Sequence, residues 1–366
     1  MTTAVSSTAI PDPWRGLRIW LWITLALVVV MITIGGATRL TGSGLSITEW
    51  RPVTGAIPPL SQGDWVAEFE KYRQSSQYEL LNQGMSLGDF KFIYWWEWGH
   101  RQLGRLIGLV YLGGFVWAAA TRRVSLRQGV TLFAMGLLLG MQGAVGWIMV
   151  ASGLEPGMTA VAPVKLTLHL GLACLFLASL VVALVRFGAF SGDAAPASSA
   201  MRWATTGLFI LIFCQVLLGG LVAGSRAGMT FNTWPLMDGQ IVPSTSLLFV
   251  VQPWWENFID NPALVQFNHR IGAYLVLIAV VWHALALRKG APDIRRRARG
   301  LMHIVATQVI LGIVTLLHVV PLSLGLAHQF LAVVLLIFAV RHATLTFMGA
   351  GQRTSQSPRA AETLPA

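Results

Sequence analysis

The 366-residue chain is 55% hydrophobic and only 11% charged, and it carries a formal net charge of +11. Because soluble domains carry about 25% charged residues, this composition excludes a soluble protein and favours one that crosses a membrane several times. The two cysteines, Cys174 and Cys214, both lie in apolar runs, which excludes a disulfide framework and a thiolate metal site.

The membrane-spanning elements follow from the apolar runs, because a helix needs about 20 such residues to cross the bilayer. Residues 1–17 are polar and predict a short cytoplasmic tail, and the run after them is too long for a signal-peptide core. Eight spans are predicted, at roughly 18–38, 98–120, 129–150, 164–186, 203–223, 264–287, 301–320 and 324–345. The sequence therefore predicts an all-α integral membrane protein with eight transmembrane helices.

The eight predicted spans divide into two tandem sets of four. Residues 18–190 form the first half, which contains a long outer loop at 39–97, and residues 203–345 form the second half. A cytoplasmic linker at 191–202 joins the halves, and residues 346–366 are expected to be a disordered cytoplasmic tail.

The distribution of Lys and Arg determines the predicted orientation. With the N-terminus in the cytoplasm, the cytoplasmic segments hold 16 of the 26 basic residues and 4 of the 15 acidic ones, so the two sides carry +12 and −1. The basic segment 288–299 then becomes a cytoplasmic loop that faces anionic lipid, which excludes nucleic acid as a partner. On the outer side, segment 60–90 is expected to include a short amphipathic helix.

The two halves repeat one another in sequence. Segment 35–59 aligns with 219–243 at an offset of 184, and the His-Arg pair at 100–101 then aligns with the pair at 269–270. Further along, Gln142 aligns with Gln308 and His169 aligns with His328. Each repeat has four helices, an even number, so both halves have the same orientation. This predicts two four-helix bundles related by a pseudo-twofold axis along the membrane normal.

The repeat separates the eight histidines into two groups. Four of them recur at equal depth near the outer ends of their helices: His100, His169, His269 and His328. Ionisable groups inside a membrane are functional candidates, and bundle cores are where cofactor sites are built. The remaining four are expected to be interhelical hydrogen-bonding groups or interface residues: His283, His303, His318 and His342.

The residues beside these histidines indicate the kind of site. Two opposed histidines without a carboxylate or Cys, as in the second half, fit axial haem ligation better than zinc, which prefers four protein ligands. Arg101 and Arg270 follow His100 and His269, and a guanidinium pairs bidentately with a carboxylate such as a haem propionate. The alternative for both arginines is contact with lipid phosphate. Weaker candidates of the same type are Arg39, Arg51, Arg105 and Arg226.

One carboxylate breaks the symmetry of the repeat. Glu97 precedes His100 by three residues and shares its helix face, whereas the aligned residue in the second half is Gln266. This difference predicts that the first half performs chemistry and that the second half holds a stationary redox cofactor. The alternatives for Glu97 are an interface carboxylate or an ion pair with Arg101 one turn later.

These residues resemble the haem A synthase family of respiratory membranes. The matching features are Glu-x-x-His-Arg at 97–101, a His at 169, His-Arg at 269–270 and a His at 328, on a duplicated eight-helix layout that covers residues 15–345. Some members of the family carry a cysteine pair in the first outer loop. This chain has none in 39–97, so it is similar to the subgroup found in α-proteobacteria and mitochondria, and a disulfide relay through that loop is excluded.

The resemblance implies a function and a role for each candidate residue. The family converts haem O into haem A for cytochrome oxidase, by oxidising a ring methyl to a formyl group through an alcohol and a hydrated aldehyde. By this resemblance His269 and His328 would ligate a permanent haem b, His100 and His169 would flank the substrate haem O, and Glu97 would act in the oxidation.

The resemblance also implies a setting and partners. The protein would lie in a bacterial inner membrane with its haem sites near the periplasmic side, and a haem O synthase would be the possible donor of its substrate. The electron acceptor stays unassigned, and a homo-oligomer is possible.

Two other functions are compatible with parts of the pattern. A bis-His diheme electron-transfer protein of the cytochrome b type would explain the four histidines but not the unmatched Glu97. A transporter built on a parallel repeat would use His and Glu as a proton relay, and it would place polar residues near the midplane of the bilayer rather than near the outer surface.

Overall fold

The computed structural model describes residues 12–190 and 197–348, and these residues are helical or irregular with no β-strand among them. Eight helices are long and apolar enough to cross a membrane, which confirms the predicted all-α class and the number of spans within the described residues. Parts of the predicted tails and linker, namely 1–11, 191–196 and 349–366, lie outside the described residues. The eight helices are α1 (Arg15–Leu40), α2 (Leu87–Ala120), α3 (Leu126–Gly153), α4 (Pro163–Arg186), α5 (Ser199–Gly224), α6 (Pro262–Ala286), α7 (Pro292–Leu317) and α8 (Leu322–Met348).

Two helices begin earlier than their apolar runs predicted. Helix α2 begins at Leu87 rather than near 98, because Ser86 and Asp89 form a reciprocal capping box that starts the helix before the apolar run. The first long loop, residues 41–86, therefore lies between α1 and α2, and the predicted outer segment 39–97 also includes the first turns of α2. Helix α7 begins at Pro292, so most of segment 288–299 is helical rather than a loop. Proline is favoured at the first position of a helix, and the charged first turns extend the helix beyond its apolar part.

Helix contacts have the same pattern in both halves. In the first half α1 contacts α2 and α4, and α3 also contacts both of these helices. In the second half α5 contacts α6 and α8, and α7 contacts both of these in turn. The halves meet through α1 with α8, α4 with α5, and α4 with α8. This pattern is unchanged when the halves are exchanged, which agrees with the predicted pseudo-twofold relation.

The main apolar core lies where the two halves meet. Helix α4 is the most deeply buried of the eight spans and α3 is the least buried. Fully buried side chains of α1 and α4 occupy this core, among them Leu17, Leu21, Phe176, Leu180 and Leu184. Burying a large aliphatic or aromatic side chain stabilises a water-soluble fold by about 1.5–3 kcal/mol. Between helices in lipid this hydrophobic driving force is absent, and close van der Waals packing stabilises the contacts instead.

The first long loop is folded onto the start of α2. It contains the short helices Gln62–Arg73 and Ser76–Leu81, which confirms a helix within segment 60–90. Trp65 and Tyr72 from the first of these pack against Phe90 and Tyr94 of α2. These aromatic contacts hold the loop over the end of the first bundle, which we call the long-loop end. The loop 225–261 lies at the same end of the second bundle.

Candidate functional site

In the first half His100 and His169 lie on helices α2 and α4, which share α1 and α3 as neighbours. Each imidazole faces a glycine of such a neighbour. A Cβ added to Gly35 of α1 would lie 3.2 Å from Nε2 of His100, and one added to Gly146 of α3 would lie 2.6 Å from Cε1 of His169. Both rings are partly buried. The two glycines therefore create the room in which the rings lie.

The second half has the same arrangement. A Cβ on Gly219 of α5 would lie 3.2 Å from Cε1 of His269, and one on Gly312 of α7 would lie 2.8 Å from Cε1 of His328. Gly219 is the repeat partner of Gly35, and Gly312 is that of Gly146. The structure thus brings the four predicted histidines together as two equivalent pairs, one in each bundle.

Glutamine side chains contact three of these four rings. Gln142 Nε2 lies 3.3 Å from Nε2 of His169, and Gln308 Nε2 lies 3.2 Å from Nδ1 of His328. Gln215 Nε2 lies 3.0 Å from Nδ1 of His269 and 2.9 Å from its carbonyl oxygen. The alignment of the two halves found Gln142 and Gln308 as repeat partners without assigning them a role. It missed Gln215, whose signal was its position one turn before the repeated Gly219.

These donor groups fit axial ligation of haem better than a protein-only metal site. Among the described residues no cluster of three or more His, Cys, Asp or Glu could hold a metal ion by itself. A pair of histidines suffices for haem, because the macrocycle supplies the remaining ligands. A metal-bound imidazole also needs an acceptor for its second N–H. The side-chain oxygens of Gln142, Gln215 and Gln308 are buried without any hydrogen-bond donor, so three such acceptors lie beside the rings.

Glu97 is buried and joins α2 to the first long loop, with only 2% of its surface exposed. Its Oε1 accepts hydrogen bonds from Nη2 of Arg101 at 2.6 Å and from Nε of Arg101 at 3.1 Å. Its Oε2 accepts from Oγ of Ser46 and from the backbone N–H of Ile47, both at 2.8 Å. The ion pair with Arg101, which the sequence offered as an alternative, is therefore present in the structure.

Gln266 replaces this carboxylate in the second half without changing the architecture. Its side-chain nitrogen donates to the carbonyl of Ala227 at 2.7 Å, and its oxygen accepts from Nη2 of Arg270 at 2.8 Å. Arg270 also donates to the loop carbonyls of Phe231 and Leu236. The arginine therefore holds a long loop in each half, since Arg101 donates likewise to the carbonyls of residues 47 and 49.

These contacts bear on the expected roles of the two arginines. Only 16% of the Arg101 side chain is exposed, and both guanidinium groups bond protein carbonyls, which favours a structural role over contact with lipid phosphate. Nε of Arg270 is buried without a partner and stays available to an anionic group. Pairing with haem propionates remains a prediction for both residues.

Comparison with known proteins agrees with this geometry. The family model described as "Cytochrome oxidase assembly protein", COX15-CtaA, matches residues 18–340. The chain belongs to this family. It is 56% identical over 330 residues to a protein of Methylobacterium radiotolerans named "Heme A synthase", which covers 90% of this chain and 89% of that protein.

Two further relatives with the same name are equally extensive matches. The protein of Methylorubrum populi is 54% identical over 336 residues, or 91% of this chain and 88% of its own length. That of Methylobacterium sp. is 54% identical over 346 residues, or 93% and 94%. Membership of the family confirms the resemblance drawn from the motifs at 97–101, 169, 269–270 and 328.

The weaker arginine candidates for propionate contact mostly bond other groups of the protein. Arg39 donates to the carbonyl of Gly224 in the other half, and Arg105 donates to the carbonyls of Arg51 and Pro52. Arg51 pairs with the carboxylates of Glu49 and Glu68. Arg226 occupies the left-handed backbone region, with φ of 55°.

A cavity of about 390 Å³ lies beside Arg101 at the long-loop end of the first half. The first long loop, including its helix Gln62–Arg73, lines it together with Tyr94, Arg101 and Arg105 of α2. The Glu68 carboxylate raises the pKa of Lys71 above its ordinary value despite partial burial, and Glu49 adds to this effect. The charged residues that line the cavity are Glu49, Arg51, Asp64, Glu68, Lys71, Arg101 and Arg105. Because acidic and basic side chains both line it, the cavity is polar but is not a site selective for anions.

The histidines outside the repeat behave as expected from the sequence. Nε2 of His283 on α6 lies 2.9 Å from Nε2 of His342 on α8, and both side chains are buried. This interhelical pair lies far along the helices from the long-loop end, next to Arg297. His318 bonds only its own helix through Val314, and His303 is exposed. The interhelical hydrogen bond expected from the sequence is present for His283 and His342, and the interpretation of His303 and His318 stays a prediction.

Proposed function

We propose that this chain is a haem A synthase, which oxidises a ring methyl of haem O to a formyl group and so provides haem A for cytochrome oxidase. The extensive similarity to proteins named "Heme A synthase" supports the proposal. Within the structure one observation supports it: each half has two histidines that face glycines, and only the first half has a buried carboxylate, Glu97, three residues before one of them. A diheme electron-transfer protein would have no need of that asymmetry.

The two halves then have different roles. The second half holds a resident haem b on His269 and His328, with Gln215 and Gln308 beside the rings. Haem b supplies one-electron redox chemistry when it is bound. In the first half His100 and His169 hold the substrate haem O, and the glycines facing them leave space for the imidazoles. Arg101 and Arg270 are the candidates for contact with propionates.

Glu97 acts in the oxidation of the methyl carbon. Each oxidation step passes two electrons from that carbon to an external electron acceptor and releases protons. The positive charge that develops on the carbon is stabilised by a carboxylate in a low-dielectric site, and the carboxylate can accept a released proton. Ser46, Ile47 and Arg101 hold the carboxylate at a defined position before substrate binds. Such preorganisation avoids the cost of reorienting dipoles during the reaction.

The orientation in the membrane follows from the distribution of positive charge. The ends of the helices away from the long loops carry the excess of Arg and Lys, so they belong on the cytoplasmic side. The termini then lie in the cytoplasm of a bacterium, and the histidine pairs lie near the periplasmic face of the inner membrane. A membrane-bound haem O synthase is the expected donor of substrate.

The test is to extract and separate the haems of purified wild type, Glu97→Gln and His269→Ala, produced in cells that make haem O. We expect haem A and haem b in wild type, and haem O or an oxidation intermediate together with haem b in Glu97→Gln. His269→Ala should lose haem b. Retained haem b in Glu97→Gln serves as the control for correct folding.

Two results would contradict this assignment. Haem A formed at the normal rate by Glu97→Gln would show that the carboxylate is not required. Haem b alone in every sample, with haem O available in the cells, would exclude a haem A synthase and favour electron transfer.

A further inference from the structure

The four candidate haem ligands differ in their hydrogen bonds. His169, His269 and His328 each contact a glutamine, whereas His100 has no hydrogen-bonding partner among the side chains that the structure describes. Two of these glutamines are repeat partners of one another, so they distinguish nothing between the halves. The third, Gln215, has no equivalent in the first half.

The residue in the matching place is methionine. Gln215 precedes Gly219 by one helical turn on α5, and at the same offset of 184 Met31 precedes Gly35 by one turn on α1. Residues four apart share a helix face, so both side chains lie beside a glycine that faces a histidine. A thioether is at most a weak hydrogen-bond acceptor. Met31 therefore cannot give the His100 ring the hydrogen bond that a glutamine amide can give the His269 ring.

The packing around Gln215 and Met31 shows how each side chain fits between its helices. The Gln215 carboxamide passes against Gly272 of α6, where a Cβ would overlap its oxygen. In the first half a Cβ on Gly104 of α2 would lie 3.2 Å from Cε of Met31. A glycine thus makes room for the longer side chain in both halves, and the chemical identity of that side chain is what differs.

A hydrogen bond to the second nitrogen of a metal-bound imidazole fixes the ring and raises its basicity as a ligand. The buried oxygen of Gln215 has no donor of its own. To accept Nδ1–H of His269, the carboxamide must turn over and move away from the His269 carbonyl, to which its nitrogen donates in this structure. Loss of such a partner typically weakens metal binding by about 10- to 100-fold.

A resident cofactor and a substrate need opposite properties from their ligands. We propose that Gln215 is a positioning residue that retains haem b on His269. Met31 at the matching place leaves His100 without this support, so that haem O enters and haem A leaves the first half. This inference rests on the proposed function, since it assigns the resident haem to the second half and the exchanged haem to the first.

The experiment exchanges the two residues. Wild type, Gln215→Met and Met31→Gln are purified with their haems, and the transfer of each haem to excess apomyoglobin is followed by absorption and chromatography. Gln215→Met should release haem b about 10- to 100-fold faster than wild type and show a changed reduction potential of haem b. Met31→Gln should release haem O and haem A more slowly, with haem b release unchanged.

A third variant separates hydrogen bonding from packing. Gln215→Glu keeps an acceptor of the same length, so it should retain haem b and lower its reduction potential, because a carboxylate increases the basicity of the imidazole. Wild-type rates and potentials in Gln215→Met would overturn the inference. So would unchanged exchange of haem O and haem A in Met31→Gln, even if Gln215→Met does not fold. Wild type that contains no haem b would refute the proposed function itself, which is a different result from either of these.

Discussion

Replacing Gly312 by alanine tests whether the histidine pair of the second half binds a metal-containing group. The new Cβ would lie 2.8 Å from Cε1 of His328, whereas carbon atoms in contact are about 3.5 Å apart. The imidazole must therefore move by about 0.7 Å or tilt. Metal–ligand distances are held to within about 0.2 Å, so a displacement of this size is incompatible with unchanged ligation.

The expected effect on stability is much smaller than the effect on haem. Alanine is favoured over glycine in a helix by about 1 kcal/mol, and overpacking costs about 1–3 kcal/mol. These contributions largely cancel, so the free energy of unfolding should fall by no more than about 2 kcal/mol. The loss of haem b should therefore exceed what global destabilisation explains.

The assay is the ratio of haem b to protein in purified Gly312→Ala, together with its absorption spectrum. Gly300→Ala is the matched control, because Gly300 lies on the same helix and its added Cβ would meet nothing within 4 Å. We expect low haem b or a changed ligation spectrum in Gly312→Ala and wild-type values in the control. A full complement of haem b with a wild-type spectrum in Gly312→Ala would refute the placement of His328 as a ligand.

Three further predictions follow from contacts in the structure. Gly146→Ala places a Cβ 2.6 Å from Cε1 of His169, so it should reduce the haem O and haem A extracted from purified protein and leave haem b in place, unlike Gly143→Ala, which has open space. Ser46→Ala removes a 2.8 Å hydrogen bond to Glu97. Since bonds to charged groups contribute about 1.5–3 kcal/mol, it should slow haem A formation in cells without loss of haem b, and an unchanged rate would argue against a preorganised carboxylate. His342→Leu leaves His283 without its buried partner and should lower the free energy of unfolding by about 1–3 kcal/mol. Its haem content and haem A formation should stay at wild-type levels, and loss of conversion in a folded variant would give this histidine pair a role beyond structure.

Helix number could be predicted from the sequence, and helix ends could not. The length of an apolar run is enough to indicate a membrane-spanning helix, because unpaired backbone groups are not tolerated in lipid. It cannot report where a helix continues into water, and so α2 begins at Leu87 and α7 at Pro292, both well before their apolar parts. The capping residues Ser86 and Asp89 were the available signal for the first of these.

The repeat is sufficient to locate the four histidines and the unmatched Glu97. It succeeds because duplicated bundles keep the same residues at the same places along their helices. It cannot show that Glu97 is held by Ser46 and Ile47, which lie about 50 positions earlier in the chain. A contact of this kind depends on how the long loop folds back over the bundle end.

The sequence by itself determined the number of spans, the duplication, the orientation expected from charge and the candidate ligands, because each is recorded in local composition or in the alignment of the halves. The tertiary structure alone decided which side chains meet across helices. Gln215 reaches His269, Met31 takes the matching place in the first half, and Gly146 and Gly312 open the space for His169 and His328. Those relations depend on the rotation and spacing of packed helices, which residues far apart in the chain determine together.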